Sequence, residues 1–488
     1  MGKQVVVIGA GVGGLATAIR LASNGFKVTV LEKNDFAGGK LSEVYVGPYR
    51  FDAGPSLFTL PQWVEELLAL SPKPVPFSYE RLDIVCRYFF PDGTKIDAHA
   101  DPQRFATELE QTTGVDRHRI LSHFANIRER YQLTAPVFIE RSFHRPGTFL
   151  SRDFWKGAVN MGKLSVFKTM HEENQQKFHH PKLVQLFDRY ATYNGSDPYR
   201  APATLNVIPH LEYHLGAYLP HEGMVAITEA LVTTAQNLGV HFHFSTPATR
   251  ISYKDRKADG VWANAQFFPA DVVVSNADVH FTYAQLLEGQ KMPKKVAKAE
   301  RSTSALVFNW GMKDAFPELD VHNIFFAENY SSEFKHLQQG VGAWEDPTVY
   351  VFISSKKIKE DAPEGHENWF TMVNVPAKAN QDWDQLIPLA RKAILQKLEK
   401  QLGRTLSSSI AEEWVLSPET IEARTNGWLG ALYGTASNSK MAAFSRHPNK
   451  SSLLKGLYFV GGSVHPGGGI PLCLSSAKIT AQWISENN

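Results

Sequence analysis

Residues 5–15 read Val5-Val6-Val7-Ile8-Gly9-Ala10-Gly11-Val12-Gly13-Gly14-Leu15, and Ala16-Thr17-Ala18-Ile19-Arg20-Leu21-Ala22 follows with apolar residues at helical spacing. The β-branched run predicts a buried strand, and the glycines predict a turn into a helix. Gly9 permits the tight turn, Gly11 lets the backbone approach a diphosphate with no Cβ in the way, and Gly14 lets helix and strand pack closely. The helix would then present free amides to the anion. Asn24-Gly25 stops it, and Lys27-Val28-Thr29-Val30-Leu31 supplies a second parallel strand. Glu32 stands 18 residues past Gly14, where a carboxylate accepts hydrogen bonds from an adenosine ribose. A glycine turn alone is weak evidence, but strand, helix, second strand and acid in register predict a dinucleotide-binding unit. Lys33, directly after the acid, is counted with it.

Working outward, the chain has 488 residues, a formal net charge of +2 and 43% hydrophobic residues. That length suggests two or three compact units with a substantial core. Near-balanced charge without a long Lys/Arg run argues against nucleic acid as a partner. Two cysteines, Cys86 and Cys473, cannot build a disulfide framework or a four-thiolate zinc site, which fits a reducing cytosolic setting. The first strand begins right after the initiator residues, so no cleavable leader is expected. No uncharged apolar run reaches the ~18 residues of a membrane-spanning helix, so any contact with a bilayer would be made from the surface.

From Leu57 to about Arg200 the pattern is mainly helical, with a long amphipathic run from Arg117 to Val137 and a hairpin turning at Asp92-Gly93. A helix opening at Gly223-Met224-Val225 and strands at 240–244 and 270–277 belong with the dinucleotide fold. Strands at 305–310, 349–353 and 370–375 and a helix near 386–402 form a second region. The C-terminal stretch is a strand, Leu457-Tyr458-Phe459-Val460, running into Gly461-Gly462 and then Pro466-Gly467-Gly468-Gly469-Ile470-Pro471, with a helix expected from Ser475 to Ile484. Bare glycine amides behind a helix N-terminus can approach a flat ligand closely.

After Glu32 come Gly38-Gly39-Lys40 and then Phe51-Asp52-Ala53-Gly54-Pro55-Ser56. Paired glycines followed by a base resemble the extended signature of amine-oxidase-like flavoproteins, which implies FAD as the cofactor. Four motifs together, VVVIGAGVGGL with its GGK extension, FDAGPSLFTLP at 51–61, ADVVVSNADV at 270–279 and LYFVGGSVHPGGGIPLCLSSAK at 457–478, resemble the bacterial phytoene-desaturase type of carotenoid desaturase. The wording VHPGGGIPL is closer to hydroxycarotenoid 3,4-desaturases than to phytoene desaturases. The resemblance implies an α/β architecture: a Rossmann-like FAD-binding domain assembled from discontinuous segments (1-95, 205-290 and 415-488). A mixed α+β substrate domain with a helical lid or membrane-facing region would cover 96-204 and 291-414. It assigns cofactor contacts to Gly9, Gly11, Gly14, Glu32, Lys33, Gly39, Lys40, Gly54, Pro55, Gly462, Gly469, Ile470 and Pro471.

The activity implied is an FAD-dependent desaturation of a carotenoid, most closely 3,4-desaturation of a 1-hydroxylated end group. Its rivals are an early-step phytoene desaturase, a carotene isomerase and an amine oxidase. A carbon beside a conjugated polyene can lose hydride because the resulting cation is delocalised, and loss of the neighbouring proton completes the alkene. The protein's task is alignment in a dry tunnel. The segment Phe149-Leu150-Ser151-Arg152-Asp153-Phe154 resembles the family's SFRD stretch, which nominates Arg152 and Asp153 for proton handling; a surface ion pair or helix cap is the alternative for the same two residues.

No metal site is expected from the 18 histidines: His241 with His243 and His179 with His180 lack ligand-spaced partners. His465, inside the flavin motif, is expected to make a structural hydrogen bond. Residues 151–182 carry a local charge of +3 interleaved with Phe154, Trp155, Met161, Leu164, Phe167 and Met170. Such a stretch could rest on an anionic membrane and admit a lipid-dissolved polyene. The location expected is cytoplasmic and peripheral on the inner face of the cell membrane, with oxygen or a quinone as terminal electron acceptor. No GxSxG, HExxH or Walker-type loop supports a hydrolase or kinase.

Overall fold

The computed structural model describes residues 2–439 and 446–487. The first motif folds as a parallel sheet of five strands in the order Leu457–Phe459, Val272–Ser275, Gln4–Ile8, Lys27–Leu31 and His241–His243. Apart from the edge strand His241–His243, whose histidines are exposed, its strands are largely buried on both faces, which is why they read as apolar runs. Val5 and Val7 pack with helices Val12–Ser23, Val225–Asn237 and Ile470–Asn487. Val6 and Ile8 point the other way, onto Ile251, Val261 and Phe268 of a three-stranded antiparallel sheet. Strands from the first 31 residues, from the middle and from the last 35 thus meet in one sheet.

A second sheet has seven strands, ordered Ile410–Leu416, Ser304–Met312, Glu367–Val375, Val349–Phe352, His322–Phe325, Ile84–Phe89 and Lys95–His99. All neighbours are antiparallel except His322–Phe325 with Ile84–Phe89. Alternation along Ser304–Met312 divides its two faces: Leu306, Phe308 and Trp310 pack on Ile394 and Leu398 of helix Trp383–Leu402. Ala305 and Val307 face the helical region that contains Arg117–Phe138.

Two expectations change. The hairpin at Asp92-Gly93 forms, but Ile324 pairs with Tyr88, so residues 84–95, grouped with the cofactor domain in the expected 1-95, belong to the seven-stranded sheet. A turn motif fixes a hairpin and says nothing of which sheet it joins. The last helix begins at Ile470, five residues before the expected Ser475, because Pro471 is compatible with a first helical turn, where its missing N–H is not needed. Among the described residues no helix is long and apolar enough to cross a membrane.

Candidate active site

Helix Val12–Ser23 sits against its strand because Gly14 has no side chain: a Cβ there would lie 2.1 Å from the Gly9 carbonyl oxygen. The Glu32 carboxylate is buried, accepting from the Ala10 amide (2.7 Å) through Oε2 and from the Asn34 amide (2.9 Å) through Oε1. Oε1 also accepts from Asn34 Nδ2 at 3.0 Å, so it is Oε2 that keeps a lone pair for a further donor, which fits a ribose. Asn276, at the end of the neighbouring strand, packs between the two glycine turns. Its Oδ1 is 2.7 Å from where a Gly11 Cβ would be and its Nδ2 is 2.5 Å from where a Gly461 Cβ would be. The absence of both side chains makes room for Asn276, so Gly11 has a packing reason in addition to its expected diphosphate approach.

Beyond this turn lies a cavity of about 460 Å³. One wall consists of Gly39, Lys40, Gly54, Pro55, Gly469, Ile470 and Pro471, all named from the sequence. The opposite wall is the seven-stranded sheet, through Ala305, Val307, Ile324, Phe370 and Met372. Tyr131, Thr134 and Phe138 of the long helix Arg117–Phe138, with Ile139 just past its end, also line the cavity. Gly9, Gly11, Gly14, Glu32, Lys33 and Gly462 do not line it; they build the βαβ turn and its surroundings.

The two lysines hold protein, as the structure places them. Lys40 Nζ donates to the Ala431 (2.8 Å) and Leu432 (2.7 Å) carbonyls, and its burial pushes its pKa down. Lys33 Nζ donates to the Ala423 carbonyl (2.5 Å) and to Asn426 Oδ1 (2.8 Å). Both tie the N-terminal loop to residues 423–432. Arg152 and Asp153 stand outside the cavity: Asp153 pairs with Arg141 at 3.1 Å, both largely exposed, and Ser151 caps their short helix by accepting from the Phe154 amide. The structure gives them no contact with the cavity, so the nomination for proton handling is not supported by position. His465 is buried and neutral, pushed down to about 4 by burial, and its Nε2 donates to the Arg141 carbonyl at 2.7 Å.

Three polar features of the wall were not foreseen. His322 Nδ1 meets the Tyr350 hydroxyl at 2.8 Å, which meets Ser56 Oγ at 2.7 Å, while His322 Nε2 has no partner among the described residues. Burial pushes His322 down to about 3, so the ring is neutral. Arg189 donates to the Tyr88 hydroxyl at 2.6 Å and lies over the rings of Tyr88, Tyr190 and Tyr193. Arg446 borders Gly467 and lines the cavity. Ser56 belongs to the FDAGPS string, but His322, Tyr350, Arg189 and Arg446 come from stretches without a recognisable motif, so only the fold brings them to the wall. The Cys86 and Cys473 thiols are pushed up to about 12 and about 11 by burial, which leaves them protonated and unreactive. Among the described residues no group of three or more His, Cys, Asp or Glu could hold a metal.

The profile described as "Flavin containing amine oxidoreductase" matches residues 12–485. The chain belongs to this family. It is a flavin-containing amine oxidoreductase in fold and an FAD-dependent oxidoreductase in class. Among its relatives, a 1-hydroxycarotenoid 3,4-desaturase of Flavobacterium sp. (strain P99-3) is 46% identical over 100% of both chains. A phytoene desaturase of Fusarium fujikuroi is 31% identical over 100% of this chain and 90% of its own. An oxidoreductase of Methanosarcina mazei shares the fold, with a TM-score of 0.67 at 16% identity, over 99% of this chain and 100% of the other. The glycine loops, the Glu32 carboxylate and the cavity wall at Gly39, Gly54 and Gly469 fit the FAD that defines the flavin-containing amine oxidoreductases.

Proposed function

We propose that this protein is a carotenoid desaturase that introduces a double bond at the 3,4 position of a 1-hydroxylated acyclic polyene. What carries the reading is the 46% identity to a 1-hydroxycarotenoid 3,4-desaturase along both full lengths. The cavity is consistent with it: apolar sheet and helix residues face the cofactor loops, as a hydrocarbon chain requires. FAD, when bound, supplies a two-electron acceptor for the hydride that leaves a carbon beside the polyene. The residues of this chain then have three tasks. Ala305, Val307, Ile324 and Met372 exclude water and align the chain. Gly39, Gly54 and Gly469 allow the ring a close approach. The neutral His322–Tyr350–Ser56 chain offers hydrogen bonds to a hydroxyl without placing a charge beside a developing carbocation. Ser56 follows directly on Gly54-Pro55, and in a 1-hydroxy end group only C2 separates the hydroxylated carbon from C3. A hydroxyl reader therefore belongs beside the cofactor loop.

A water-insoluble substrate favours membrane access. Leu150, Val159 and Phe167 are each more than 80% exposed, and Trp155 is 59% exposed. Their segment packs, through helix Arg152–Val159, on the helix whose far end supplies Tyr131 and Phe138 to the cavity. This supports a peripheral position on the inner face of the cytoplasmic membrane, with polyene entering from the lipid and oxygen or a quinone taking the electrons. Purified holoprotein incubated with a 1-hydroxylated acyclic carotenoid and, separately, with phytoene tests the reading. The hydroxylated substrate is expected to shift its absorption to longer wavelength. Conversion of phytoene alone would assign the protein to the early step, and peroxide from amines without polyene conversion would make it an amine oxidase.

A further inference from the structure

Among the described residues four arginines are buried: Arg50, Arg130, Arg189 and Arg446. The first three have a carboxylate close by, Glu43 at 2.6 Å, Glu173 at 2.7 Å and Glu212 at 3.8 Å respectively. Arg446 is 5% exposed and forms no such pair among the described residues. Its Nη2 donates to Ser437 Oγ at 3.1 Å and its Nη1 has no hydrogen-bond partner among the described residues. Burial pushes its pKa down to about 10 with no anion to offset the effect. An isolated buried guanidinium is unfavourable unless something negative reaches it.

Its position says what that partner is. A Cβ on Gly467 would lie 2.9 Å from Arg446 Cζ, so the guanidinium rests against the glycine loop. It lines the cavity together with Gly468, Gly469 and Ile470. Ile470 is also where the 18-residue helix Ile470–Asn487 begins, the positive end of its dipole. Two sources of positive potential thus converge on the wall assigned to the flavin, whereas the diphosphate has its own glycine turn and helix at Val12–Ser23.

We propose that Arg446 is the fixed counter-charge of the flavin ring, balancing, with the amino end of the last helix, the negative charge that arrives with each hydride. The electron pair of the substrate C–H bond and its hydrogen go to the ring, the substrate cation releases a proton from the adjacent carbon, and the ring keeps one net negative charge opposite Arg446. The inference rests on the flavin of the reading above and not on the identity of the polyene.

The test uses purified holoprotein without polyene, read by flavin absorption during anaerobic dye-coupled reduction and during titration with sulfite, which adds to the ring as an anion. Arg446→Met is expected to bind sulfite at least about tenfold more weakly and to lower the two-electron potential by about 30 mV or more, a tenfold change in equilibrium constant. Arg446→Lys keeps most of both values. Where the methionine variant does not fold, the native protein decides. Its potential should fall by about 30 mV per pH unit down to about pH 5.5, one proton per electron pair. A slope near 59 mV would mean a neutral reduced ring and overturn the proposal. So would Arg446→Met that holds FAD weakly with the potential of the bound fraction unchanged, because Arg446 would then serve the diphosphate. A native protein that binds no flavin would sink the cofactor reading itself.

Discussion

A side chain at position 54 has nowhere to go: the first carbon would stand 1.7 Å from the Lys40 carbonyl oxygen. Lys40 cannot retreat, because its ammonium is bonded to the Ala431 and Leu432 carbonyls. Gly54→Ala should therefore push the loop off the cavity wall, costing about 1–3 kcal/mol of stability. It should also release flavin, visible as loss of bound-flavin absorption after desalting, whereas retained flavin with unchanged unfolding would show that the loop is not the cradle. Gly54 was legible because its motif is a short contiguous string. His322, Tyr350 and Arg446 were not, since each is an ordinary residue in an ordinary strand or loop until folding leaves a polar atom buried beside the cavity.

At the scale of elements, the helical region is tied by charge. Arg130 of helix Arg117–Phe138 makes a two-pronged bond to Glu173 of helix Met170–Phe178, at 2.7 and 2.8 Å, and Asn206 donates to the same carboxylate at 2.8 Å. Burial alone would raise the Glu173 pKa, but these donors hold it at about 2, below its ordinary 4.5. A carboxylate depressed in the fold stabilises fully above its unfolded value and loses that contribution as pH falls through the folded one, here between about 4.5 and about 2. Glu173→Gln should cost on the order of 3 kcal/mol near neutral pH, since it leaves Arg130 buried without an anion. The gap to the native protein should narrow near pH ~3. Denaturant unfolding at both pH values checks it, and a pH-independent gap would mean that the pair contributes by shape alone. The periodicity of residues 117–137 predicted the first helix. It could not predict which acid Arg130 would meet, because that depends on a segment 43 residues away.

Across the whole molecule the proposed membrane access rests on the exposed apolar residues Leu150, Val159 and Phe167. Two of the basic residues in the same stretch are already engaged: Lys163 pairs with Glu129 at 2.7 Å and Lys168 bonds Gln176 at 2.6 Å. Apolar burial in the lipid interface should therefore outweigh charge. Replacing Leu150, Val159 and Phe167 together by serine is expected to reduce co-sedimentation with anionic liposomes by at least about tenfold. Turnover of detergent-dispersed polyene should stay near normal. Undiminished sedimentation would remove this surface from the membrane hypothesis. Asp153, in the same stretch, pairs with Arg141, and solvent screens such an exposed ion pair to little net effect.

What the sequence by itself determined is whatever depends on neighbours along the chain. The βαβ turn at Gly9–Gly14, the acid at Glu32, the hairpin at Asp92-Gly93 and the family wording of the last motif are all local strings whose backbone geometry follows from glycine, proline and β-branched residues. Only the tertiary structure decided that the hairpin joins the seven-stranded sheet, that Asn276 packs between two glycine turns, and that Arg446 is buried without a carboxylate. The physical reason is that strand pairing, desolvation and unmatched charge are properties of surroundings, and those surroundings are drawn from segments hundreds of residues apart.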